Sequence, residues 1–87
     1  MKLKEGFILR KVAGENVVIP SGNELNLNVL ITLNGTGVFL WKKLQSQCSI
    51  DMLVAALLEE YDVDEQTARI SVDNFIAKLN VYDFLEN

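Results

Sequence analysis

The stretch Leu25–Leu44, LNLNVLITLNGTGVFLWKKL, decides the fold. Its first half alternates. Leu25, Leu27, Val29, Ile31 and Leu33 fall on one side of a pleated strand, and Asn26, Asn28, Leu30 and Thr32 on the other, a period of two. At Asn34 the period changes. Asparagine is a strong helix N-cap, because its side-chain oxygen accepts one of the orphan N–H groups of the first turn. Leu33 and Val38 are spaced as a hydrophobic staple around that cap. Val38, Phe39, Leu40, Trp41 and Leu44 then make an apolar cluster too broad for a surface helix, so a largely buried helix is expected. One continuous segment therefore ties a sheet to a helical core.

Upstream, Met1–Gly6 reads as a loose, charged lead-in. Phe7–Val12 reads as a strand, Ala13-Gly14-Glu15 as a turn and Asn16–Pro20 as the returning strand of a hairpin closed by Pro20. Ser21-Gly22-Asn23 is a loop. Downstream, Ser49 caps a second helix whose apolar stripe is Ile50, Leu53, Val54, Leu57, Leu58 and Tyr61. Asp62 with Glu65 has the form of a capping box. A third helix is predicted from about Asp64 to Asn80, with Ala68, Val72, Phe75, Ile76 and Leu79 inward, and Val81, Phe84 and Leu85 folding back on the core. Three strands followed by three helices indicate an α+β domain, a three-stranded antiparallel sheet and then a three-helix bundle in a winged-helix-like order. At 87 residues, 1–87 reads as a single domain.

Composition excludes several functions. There is no histidine and a single cysteine, Cys48, so a structural zinc site and an internal disulfide are both excluded, and a reducing cytoplasm fits. No nucleophile stands beside a base, which argues against catalysis and leaves no need for a cofactor. A net charge of −4 argues against a nucleic-acid partner. No apolar run is long enough to span a membrane. Gly35 and Gly37 lack the lysine of a phosphate-binding loop and read instead as a close approach of helix to sheet.

The informative feature is an edge. Natural sheets blunt their edges with Lys, Pro or bulges. The first strand carries Arg10 and Lys11 and the second ends in Pro20, whereas the third carries neither charge nor proline. At an edge it would offer an open ladder to an extended peptide; at the centre of the sheet, or covered, it would not. The same rim could recruit a second copy of the chain as a homodimer.

The segments LNGTGVFLWKKL (Leu33–Leu44), LVAALLEEYDVDEQTAR (Leu53–Arg69) and Val72–Leu79 together resemble the PqqD-like family. Its members are recognition elements for ribosomally made, post-translationally modified peptides, and the founding member serves pyrroloquinoline quinone assembly. The resemblance implies a non-catalytic adaptor. The leader of a precursor peptide would add as a strand along Val29, Leu30, Ile31, Thr32 and Leu33, in a groove walled by Arg69, Val72, Asp73 and Ile76. The partner would be a modifying enzyme, of the Fe–S-dependent radical SAM type if the pathway is like the founding member's. The alternative, from the winged-helix order, is a DNA-binding regulator; its recognition helix would carry only Arg69 and Lys78 as cations. The family's glycine near the end of the third helix is replaced by Tyr82-Asp83-Phe84-Leu85.

Overall fold

The computed structural model describes residues 1–22 and 29–86. The expected strand positions Leu25–Asn28 lie outside them. The elements run β1 (Lys2–Leu3), β2 (Phe7–Val12), β3 (Glu15–Pro20), β4 (Ile31–Leu33), α1 (Gly35–Lys43), α2 (Ile50–Glu60), α3 (Glu65–Val81) and β5 (Leu85–Glu86). The chain is an α+β fold, with an antiparallel sheet in the order β2-β3-β4 and a two-stranded ribbon of β1 and β5.

The β2–β3 hairpin follows from two residues. Ala13 and Gly14 both take positive φ, 51° and 83°, as a tight two-residue turn requires. Glu15 therefore belongs to the strand rather than the turn, paired with Val12. Val17, Val18 and Ile19 are all buried, as in a central strand covered on both faces. Ile31 and Leu33 of β4 point into the core, and Thr32 between them is exposed.

Each helix starts on a side-chain cap. Asn34 accepts from the Gly37 N–H at 2.8 Å, and Ser49 from the Met52 N–H at 3.1 Å. Asp64 accepts from the Thr67 N–H at 2.7 Å. The last replaces the expected Asp62–Glu65 box: the cap sits at Asp64, with β-region φ and ψ, and α3 begins after it. Gly37 is the close approach read from the sequence, since a Cβ there would meet Leu33 Cβ at 3.3 Å.

The core joins Val18, Ile31 and Leu33 of the sheet to Leu40, Trp41 and Leu44 of α1, Leu53, Val54 and Leu57 of α2, and the expected stripe Ala68, Val72, Phe75, Ile76 and Leu79 of α3. In α2 the stripe is narrower than its spacing suggests, because Ile50, Leu58 and Tyr61 at its margins are exposed.

Two expectations at the termini are corrected. The lead-in is not loose: Leu3 is buried and its N–H donates to the Leu44 carbonyl, while that of Lys4 donates to Phe84. At the other end Phe84 and Leu85 fold onto the core, but Val81 is 79 % exposed. The reason is the helix stop. Asp83, at φ 58°, takes the left-handed position that usually falls to glycine. The Asp83 N–H donates to the Asn80 carbonyl and the Phe84 N–H to the Leu79 carbonyl, the two bonds of a Schellman motif. The chain reverses there and inserts Phe84 instead of Val81. Its ring meets Trp41 edge-on at 5.9 Å and Phe7 at 4.4 Å.

Candidate peptide-binding site

Among the described residues β4 has one sheet neighbour, β3, and so lies at an edge. Hairpin geometry fixes which of its backbone groups face outward. A two-residue turn is flanked by a hydrogen-bonded pair, here Val12 and Glu15, and such pairs alternate along an antiparallel ladder. Arg10 and Val17 are therefore bonded to each other, so the backbone groups of Val17 face β2. Its β4 partner, Thr32, consequently directs its own N–H and C=O away from β3. An independent contact agrees: the Thr32 carbonyl accepts from Lys78 Nζ, on α3, at 3.1 Å. Ile31 and Leu33 turn their backbone groups toward β3 instead. Leu30 also donates its N–H to the Val18 carbonyl, so Leu30 and Ile31 together oppose Val18, as in a β-bulge. Val29, just before, is exposed.

Outside this rim lies a groove of about 590 Å³ between β4, the start of α1 and α3. Thr32 and Leu33 of β4, Asn34, Thr36, Gly37 and Leu40 at and after the α1 cap, and Glu15 of β3 line it. Ser71, Asn74, Phe75 and Lys78 form its α3 wall, at the i, i+3, i+4, i+7 spacing of one helix face.

This is not the face expected from the sequence. Val72 and Ile76 are core residues and neither lines the groove. Asp73 is exposed and does not line the groove. Arg69 leans the other way, where its guanidinium donates to Asp51 of α2 at 3.2 Å. The groove runs along the opposite flank of the same buried stripe. A helical stripe has two flanks, and spacing alone does not say which one faces the strand. Lys78, the one cation in the groove's lining among the described residues, is the signal the spacing held, since it continues the face of Ser71, Asn74 and Phe75.

Cys48 is a buried thiol donating to the Lys43 carbonyl at 3.3 Å, within the core rather than the groove. Among the described residues no helix is long and apolar enough to cross a membrane.

An open strand edge above a helix-walled groove is the architecture of a small binding module. The chain belongs to the PqqD family: the family described as "Coenzyme PQQ synthesis protein D (PqqD)" matches residues 15–85. No curated protein matches it in sequence. Among solved structures it resembles TbiB1, determined in complex with the TbiA(beta) leader peptide. The TM-score is 0.75 at 23% identity, over 100% of this chain and 96% of that one. At that identity the likeness speaks to fold.

Proposed function

We propose that this chain is a non-catalytic adaptor. It binds the leader of a ribosomally synthesised precursor peptide as an added strand along β4 and presents the remainder to a modifying enzyme. One observation carries the reading: the outward backbone pair of Thr32 opens onto the groove walled by α3. Family membership and the leader-bound state of TbiB1 support it. Each added backbone hydrogen bond contributes about 0.5–1.5 kcal/mol net. Ordering a flexible leader opposes that gain, so side-chain contacts along the groove must supply the surplus. Holding the leader raises the effective concentration of the remainder at the enzyme. A radical SAM enzyme fits that role if the pathway is like the founding member's.

The test is Thr32→Pro, which removes an outward N–H and leaves the ladder bonds to β3 in place. Proline at Ile31 would break the internal ladder and confound folding with binding. Leader peptides translated from short reading frames beside the gene should bind the parent chain and lose measurable affinity for Thr32→Pro, with its circular dichroism unchanged. Undiminished affinity would refute strand addition.

A further inference from the structure

Among the described residues the groove's lining has one cation, Lys78, placed on the rim that a guest strand would use. Lys78 Nζ donates to the Thr32 carbonyl at 3.1 Å. Among the described residues no carboxylate lies within ion-pair distance of it; Glu15 lines the same groove without pairing. The carbonyl that Lys78 occupies is the acceptor an added strand needs. A carbonyl has two lone pairs, so the ammonium can share it or give way. Either way, the incoming chain covers an ammonium that was exposed. Removing a cation from water without a counter-charge is costly, whereas a carboxylate brought by the guest converts that cost into a charge-assisted hydrogen bond.

We infer that the peptide recognised here carries an Asp or Glu side chain facing α3, which Lys78 receives as it releases Thr32. The inference rests on the strand-addition reading and adds a chemical requirement to it. Lys78 is then a specificity-determining residue, favouring acidic guests and rejecting those with Lys or Arg at that place.

A display library of random dodecapeptides, sorted against the intact chain and against Lys78→Met and Lys78→Glu, tests this. The methionine keeps the apolar stem and removes the charge. Peptides retained by the parent chain should share an Asp or Glu at one position. Lys78→Met should lose that enrichment and bind the parent's peptides roughly tenfold more weakly. Lys78→Glu should select Lys or Arg at the same place. Peptides that protect the Thr32 amide yet show no acidic position would overturn the role of Lys78 and leave strand addition standing. Retention of no peptide, or of peptides that leave Thr32 untouched, would overturn both.

Discussion

Met1 and Cys48 hold each other through a reciprocal pair of hydrogen bonds. The Met1 ammonium donates to the Cys48 carbonyl at 3.0 Å, and the Cys48 N–H donates to the Met1 carbonyl at 2.8 Å. The first residues thereby close the loop between α1 and α2, and Leu3 is carried into the core. Burying a leucine side chain stabilises by about 1.5–3 kcal/mol. Deleting residues 1–4 should thus lower unfolding free energy by about 3 kcal/mol once the lost backbone bonds are included. Urea denaturation would measure it; an unchanged midpoint would mean the N-terminal strand is incidental.

Phe84 is 2 % exposed and meets Phe7, Trp41 and Tyr82. Phe84→Ala should cost about 3–5 kcal/mol, by lost transfer energy and by the cavity left behind. A domain of this size has total stability of only about 4–13 kcal/mol, so the variant should melt far below the parent or not fold.

Asp83 occupies a left-handed position with its carboxylate at the negative end of α3, both unfavourable. Its ion pair with Lys4, at 2.8 Å, is largely exposed and contributes little. Asp83→Gly should raise stability by about 0.5–1 kcal/mol. A lower melting temperature would show that the Lys4 pair outweighs the backbone term.

Asp64 gives a pH dependence of known sign. The Thr67 backbone N–H holds its carboxyl below the ordinary 3.8, with a smaller contribution from the Thr67 side chain, against slight desolvation. The folded value thus lies below the unfolded one. The stability this cap adds is complete above the unfolded value and is lost as pH falls through the folded value. Acidification below 3.8 should expose the Thr67 amide to exchange ahead of mid-helix amides of α3. Asp64→Asn keeps an acceptor without a titrating proton, and should remove this early step. The same acid profile in both variants would assign the step elsewhere.

Local chemistry made most of the fold legible in the sequence. The caps at Asn34 and Ser49, the buried stripe of α3, the Gly37 approach and the β2–β3 hairpin each depend on neighbours within a few residues. The misreadings share a different cause. The partners of Met1–Lys4 lie 41 to 84 positions away, at Leu44, Cys48, Phe84, Leu85 and Glu86, and no local pattern announces them. Which flank of α3 borders the groove, that of Arg69 and Asp73 or that of Ser71 and Lys78, is set by the packing of α3 against β4, a tertiary property that spacing does not carry. Arg69 had a partner in Asp51 on the neighbouring helix, invisible to intrahelical spacing. For the edge strand, the absence of charge and proline leaves an edge and a covered strand equally open, because strand order is a long-range property; the sheet order β2-β3-β4 among the described residues puts β4 at the edge.

Amide hydrogen exchange at Thr32 is the sharpest probe of the outward rim. It would be followed by NMR in the free chain and with a saturating peptide selected from the dodecapeptide library. In the free chain the Thr32 N–H should exchange quickly while those of Ile31 and Leu33, turned toward β3, stay protected; with peptide it should slow by at least the protection of a typical ladder bond, roughly tenfold or more. Saturated peptide binding with Thr32 exchanging as fast as before would place the peptide elsewhere and contradict strand addition.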